Sequence, residues 1–157
     1  MRSRIVLLGV IAVIGLAGCG GGSGKESAGS EQAAKKVGEA AGIRVGQSDL
    51  GPIITDRSGR SLYAFTKDKA GTSVCEGECI ATWPALAGKV KVTLGEGVER
   101  SLVKHYQRSE GTFQATYGDW PLYYYAGDAQ PGDLDGQGVD GEWFVVGVDG
   151  KLIKREA

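Results

Sequence analysis

Hydrophobic positions along this chain follow two different patterns. Ile5 to Leu16 form one apolar run, preceded by Arg2 and Arg4 and followed by small residues. From residue 43 onward the apolar positions break into short runs rich in β-branched and aromatic residues, separated by Gly and Asp turn signals. The runs are Pro52 to Thr55, Ser61 to Phe65, Lys89 to Leu94, Thr112 to Thr116, Leu122 to Tyr125, Trp143 to Val148 and Leu152 to Lys154. Such runs between turn residues predict strands. Asp56-Arg57-Ser58-Gly59, Tyr117-Gly118-Asp119 and Asp149-Gly150 predict hairpin connections. A single short helix is expected around Arg100 to His105. The expectation is a mainly β fold, a small antiparallel β domain built from two sequence-related halves, with at most one short helix.

The first pattern is that of an export signal, in which basic residues, a short apolar run and small residues follow in that order. The run is shorter than the about 20 apolar residues that cross a hydrocarbon core. Leu16-Ala17-Gly18-Cys19 resembles a lipobox, so residues 1 to 18 are expected to be a lipoprotein signal peptide and Cys19 the lipidated N-terminus. The resemblance implies a diacylglycerol thioether on Cys19, a stable membrane anchor because two acyl chains hold where one binds marginally. Residues 20 to 42 are Gly, Ser, Ala, Glu and Lys with almost nothing large and apolar, a composition that buries too little surface to fold alone. With Cys19 they form the expected flexible tether, with an end-to-end distance of about 25 Å. Residues 43 to 157, 115 in all, suit one domain with one core.

An internal repeat organises that domain. A shift of 60 residues superimposes Gly51 on Gly111, Leu62 on Leu122, Tyr63 on Tyr123, Asp68 on Asp128 and Trp83 on Trp143, and puts Phe65 on Tyr125. One fixed offset without gaps means two copies of a supersecondary unit, about 50 to 84 and about 110 to 149. Both copies carry Tyr-x-aromatic-x-x-Asp, as Tyr63-Ala64-Phe65-Thr66-Lys67-Asp68 and Tyr123-Tyr124-Tyr125-Ala126-Gly127-Asp128. Together with the lipobox, the Cys75 to Trp83-Pro84 stretch and the Pro131-Gly132-Asp133 loop, this resembles the predicted lipoproteins known as the secreted repeat of unknown function. The resemblance implies export and fold and carries no catalytic residue.

Within each copy the two aromatics share one strand face, and the Asp falls just past the strand end, where a carboxylate accepts turn N–H groups. Two readings stay open for Tyr63, Phe65, Asp68, Trp83, Tyr123, Tyr125, Asp128 and Trp143: core aromatics with a turn-closing Asp, or an aromatic-lined binding site. Trp83 is expected near Tyr63 and Phe65, and Trp143 near Tyr123 and Tyr125.

Charge and cysteine content narrow the chemistry. Loss of Arg2 and Arg4 leaves 16 of 18 Lys and Arg against 19 Asp and Glu, a net charge of −3. Nucleic acid is therefore not an expected partner, since that binding draws on clustered cations. Cys75 and Cys79 remain, and in an oxidising compartment they read as one structural disulfide, with a redox-active pair as the competing reading. From Ser109 to Gly150 there are eight Asp and Glu and no Lys or Arg. Asp133, Asp135 and Asp140 are weak metal candidates, because an EF-hand counted from Asp133 requires Glu at the twelfth position, which is Phe144. His105 is the only histidine and Met1 is lost with the signal, so copper and haem lack ligands and no cofactor is expected. No nucleophile elbow accompanies His105. The reading is a lipid-anchored, extracytoplasmic, non-enzymatic binding or interaction module of the cell envelope, partnered with the membrane through Cys19 and with an unidentified envelope protein or small ligand. The alternative is a redox or electron-transfer protein using Cys75/Cys79 or the Tyr and Trp residues.

Overall fold

The computed structural model describes residues 42–88 and 92–157. The signal, Cys19 and nearly all of the tether lie outside the described residues. Gly42 does not belong to a tether, because it opens strand β1 (Gly42–Ser48), which pairs antiparallel with β2 (Gly51–Asp56). The turn between them is closed by the Ser48 hydroxyl, which donates to the Gly51 carbonyl at 2.7 Å and accepts from the Leu50 N–H. Gly51 has φ +86°, a left-handed conformation that glycine adopts without a side-chain clash.

The remaining strands are β3 (Tyr63–Phe65), β4 (Ala87–Gly88), β5 (Thr93–Leu94), β6 (Val103–Gln107), β7 (Phe113–Tyr117), β8 (Trp120–Pro121) and β9 (Trp143–Val145). They form sheets β2-β1-β5, β3-β9 and β4-β7-β6, with β8 pairing on β7. All pairings are antiparallel except β1 with β5. The fold is mainly β, as expected, and the three expected turns lie at hairpin ends.

Several local expectations differ from the structure. The expected strands Leu122 to Tyr125 and Leu152 to Lys154 are extended segments joined to their neighbours only by isolated bridges at Tyr123 and Leu152. The helix expected over Arg100 to His105 is a single 3-10 turn at Arg100–Leu102, after which Val103–Gln107 runs as β6 against β7. His105 is thus an exposed strand residue, set there by cross-strand pairing that local sequence does not encode. The short helix lies elsewhere, as α1 (Glu78–Thr82), and its first turn contains Cys79. Of the strand expected at Lys89 to Leu94, only Thr93–Leu94 is described as β5.

The repeat is visible as two hairpins, β1/β2 and β6/β7, whose registers correspond across the 60-residue offset to within one residue. The halves are not side-by-side units, however. The segment after each Trp leaves its own copy and pairs with the strand of the other: Tyr63 opposes Val145, and the equivalent bridge joins Tyr123 to Ala85. Ile54 N–H likewise donates to Val146 O in one half while Ala115 N–H donates to Leu86 O in the other. On the pseudo-twofold axis, Tyr63 and Tyr123 exchange both backbone hydrogen bonds at 2.9 Å.

This crossing makes β3 and the bridged Tyr123 segment the middle layer of the molecule. Successive strand residues point to opposite faces. Leu62 and Ala64, with Leu122 and Tyr124, enter one core with Ile43, Ile54, Leu86 and Val146. Tyr63 and Phe65, with Tyr123, enter a second core with Trp83, Trp143, Cys75 and Val145. Burial on both faces explains why Ser61 to Phe65 lacks polar alternation.

Candidate functional site

The second core gathers the six aromatic residues singled out by the repeat, and the two Asp residues bond to its tyrosines. Trp83 and Trp143 stack in parallel, with centroids 3.8 Å apart and an interplanar angle of 1°. That is closer than the about 4.5–7 Å usual for aromatic pairs. Phe65 stacks on the outer face of Trp143 at 4.3 Å, and Tyr125 lies over the outer face of Trp83 at 4.5 Å, giving a column ordered Phe65, Trp143, Trp83, Tyr125. Tyr63 meets Trp83 edge-on at 5.5 Å, and Tyr123 meets Trp143 edge-on at 5.2 Å. The expected neighbourhoods are therefore half right. Each Trp touches the Tyr of its own copy, but its stacking partner comes from the other copy, because the Trp-bearing segments have crossed over.

The carboxylates are exchanged in the same way. Tyr63 donates to Asp128 Oδ2 at 3.0 Å, and Tyr123 donates to Asp68 Oδ2 at 2.6 Å. The other oxygen of each carboxylate accepts a loop N–H, Val74 for Asp68 at 2.8 Å and Asp135 for Asp128 at 3.1 Å. Each Asp thus closes its own loop, as expected from sequence, and also ties that loop to the opposite copy's tyrosine. Both carboxylates are buried. Burial raises the Asp128 carboxyl from the ordinary 3.8 to about 6, against the opposing effect of the Tyr63 and Asp135 donors. Burial also raises Asp68, opposed by Tyr123, Val74 and the charge of Arg108. The two phenols are pushed well up, first by burial and then by their carboxylate partners.

The halves differ beyond this shared frame. Around Asp68, the Ser73 hydroxyl lies 2.6 Å from the Tyr123 oxygen, and Ser73 N–H donates to the Tyr106 hydroxyl, which donates to Gln114. Arg108, buried apart from its Glu110 partner, donates to Gln114 at 2.7 Å and to the Cys75 carbonyl at 2.6 Å. Sequence reasoning missed Arg108, and the only signal available was that it is the last cation before the long acidic segment. Cys75 and Cys79 form the expected disulfide. Cys75 is 1% exposed, which keeps its sulfur from an attacking thiolate.

In the second copy the loop after Tyr125 is held by its own side chains. Asp133 accepts the Ala129 and Gln130 N–H groups at 2.8 and 2.7 Å, and Gln137 links Val145, Ile153 and Arg155. Gly136 passes so close to Tyr63, Trp83 and Tyr125 that a Cβ there would lie within 3.0 Å of each. Four of the eight acids between Ser109 and Gly150 are neutralised by ion pairs, Glu110 with Arg108, Asp119 with Lys104, Glu142 with Lys67 and Asp149 with Lys151. Asp135 and Asp140 are exposed and in none of these pairs. Among the described residues, no group of three or more His, Cys, Asp or Glu is arranged to hold a metal ion, so Asp133, Asp135 and Asp140 do not converge.

Two copies of one β unit, interlocked through their Tyr, Trp and Asp residues, define the class to which this molecule belongs. The chain is a member of the family described as the secreted repeat of unknown function, whose pattern matches it twice, at residues 45–87 and 104–147. No curated protein and no solved structure matches it. A secreted repeat agrees with the extracytoplasmic reading of the N-terminus. Among the described residues no helix is long and apolar enough to cross a membrane.

Proposed function

We propose that this protein is a lipid-anchored, extracytoplasmic, non-enzymatic interaction module whose partner carries positive charge and is engaged by the loop Ala126 to Gly141. The anchor is the diacylglycerol on Cys19, and residues 20 to 41 hold the domain away from the headgroups. The observation that carries the reading is the state of the loop. Segments of more than about 12 residues with little regular structure are uncommon in a compact domain, and an ordered one is usually functional; this one holds a single 3-10 turn, Val139–Gly141. This one has its backbone fixed by Asp128, Asp133 and Gln137, while Asp135 and Asp140 face solvent without an ion-pair partner. A loop ordered before binding loses less entropy on association than a flexible one.

A photo-crosslinking residue at Asp140, compared with one at Lys104 on β6, tests this in intact envelopes. The expected result is a discrete adduct from position 140 that weakens with Asp135→Asn and with added salt. Equal adducts from both positions, or none, would refute it. The anchor is checked separately: Cys19→Ala should release soluble protein or leave unprocessed precursor, and continued acylation of that variant would exclude lipidation at Cys19.

A second reading, electron transfer through the Tyr and Trp residues, is favoured by one observation, the column in which Phe65, Trp143 and Trp83 stack and Tyr125 lies tilted by 35° against Trp83.

A further inference from the structure

We propose, resting on the electron-transfer reading, that the Trp83–Trp143 pair is a one-electron relay and that Tyr63 and Tyr123 are its radical traps, with Asp128 and Asp68 taking the phenolic protons. The substrate class is a one-electron oxidant of the oxygen-radical type arriving from the extracytoplasmic side.

Three features of the geometry support each other. First, parallel indoles at 3.8 Å overlap more than ordinary aromatic pairs, and a positive charge shared by two overlapping π systems is more stable than one confined to a single ring. The pair is therefore easier to oxidise than an isolated tryptophan. Secondly, the column reaches solvent at one end only: Phe65 is buried, whereas Tyr125 is half-buried and lies over Trp83. An oxidant at the surface thus draws its electron from the Tyr125 end. Thirdly, each Trp has a fully buried tyrosine against its edge, and that tyrosine's hydroxyl already points at a buried carboxylate, at 3.0 Å for Tyr63 and 2.6 Å for Tyr123. A phenol that loses an electron becomes a strong acid, so a base must stand within hydrogen-bond reach for the step to proceed.

The step balances as follows. The oxidant RO• takes one electron from the indole pair and leaves as RO⁻. Tyr63 then supplies one electron to the oxidised pair, its O–H bond breaks, and the proton moves to Asp128 Oδ2. The products are RO⁻, a Tyr63 phenoxyl radical and a neutral Asp128 carboxyl. Tyr123 and Asp68 perform the same step from the other side of the axis. Because both traps are buried, the radical is kept from neighbouring lipid and protein. A carboxyl already raised by burial is the stronger base for this transfer.

The test uses the mature domain with its disulfide intact and photogenerated ruthenium(III) tris-bipyridine as the oxidant, read by transient absorption and electron paramagnetic resonance. Wild-type protein should give a long-lived phenoxyl radical. Tyr63→Phe/Tyr123→Phe keeps both rings and removes both hydroxyls, and should lose the phenoxyl signal and leave the radical on the indole pair. Asp68→Asn/Asp128→Asn should lower the phenoxyl yield with the tyrosines still present. Should a double variant fail to fold, each single Tyr→Phe variant is expected to remove about half of the phenoxyl signal. An indolyl radical in the wild type, with no phenoxyl, overturns the trap and leaves the relay standing. No radical on any ring overturns the relay and the electron-transfer reading together. Equal phenoxyl yield in wild type and Tyr63→Phe/Tyr123→Phe places the radical on peripheral tyrosines and overturns the proposal.

Discussion

Replacing Tyr63 by Phe removes one oxygen atom from the middle of the molecule and leaves the ring in place. That oxygen is fully buried, donates to Asp128 Oδ2 at 3.0 Å and accepts from Gly136 N–H at 3.4 Å. The size of the effect depends on the charge of Asp128. A hydrogen bond to an ionised acceptor contributes about 1.5–3 kcal/mol and one between neutral groups about 0.5–1.5 kcal/mol. Burial has moved the Asp128 carboxyl from 3.8 to about 6, so it is ionised at neutral pH and protonated in mild acid. Its folded value lies above its ordinary one, so the stability it contributes is fully present below about pH 4 and lost as pH rises through about 6. In the Phe variant the donor that favoured the ionised form is gone, the carboxyl moves further up, and the loss with rising pH is steeper. Urea denaturation should therefore find the variant less stable by about 2 kcal/mol near pH 7.5 and by about 1 kcal/mol near pH 4.5. In melting temperature the neutral-pH effect is about 8 °C, at about 4 °C per kcal/mol for a domain of this size. Tyr117→Phe is the control, since that hydroxyl donates to the neutral Val148 carbonyl at 2.7 Å and its loss should vary little with pH. Equal destabilisation by Tyr63→Phe at both pH values would mean that the exchanged Tyr–Asp contact does not carry the charge assigned to it.

Two further outcomes follow from the same core. Closing the five-residue Cys75–Cys79 loop stabilises by about 2 kcal/mol in the loop-entropy account, so Cys75→Ala/Cys79→Ala should melt about 8 °C lower with an unchanged circular dichroism spectrum; thiol titration should find the wild-type pair still oxidised in buffers approaching about −300 mV, and easy reduction would instead mark a working redox pair. Gly136→Ala drives a methyl group against Tyr63, Trp83 and Tyr125, all within 3.0 Å, and should cost about 1–3 kcal/mol while altering the coupled indole signal in circular dichroism; an unaltered indole signal would show that the loop does not press on the ring column.

The sequence alone determined what is local or periodic. The alternation of β-branched runs with Gly and Asp turns was enough for a mainly β fold, and the 60-residue offset established that Tyr63, Asp68 and Trp83 have equivalents in Tyr123, Asp128 and Trp143. The role of each Asp in closing its loop was also legible, because that contact joins residues six or seven apart. Other elements were invisible for the same reason that these were visible. β1 has two glycines in seven residues and a weak local signal, and it exists because β2 and β5 pair on either side of it. His105 sits in a strand because β7 supplies partners that outweigh the local helical pattern. Most of all, equivalence between two copies says nothing about whether each keeps its own partners or exchanges them. Tertiary structure decided that question at the Tyr63–Tyr123 bridge, where the chain turns each Trp-bearing segment across to the other half. The pairs Tyr63–Asp128, Tyr123–Asp68, Phe65–Trp143 and Tyr125–Trp83 all follow from that crossing, through contacts 42 to 78 residues apart that a one-dimensional repeat cannot specify.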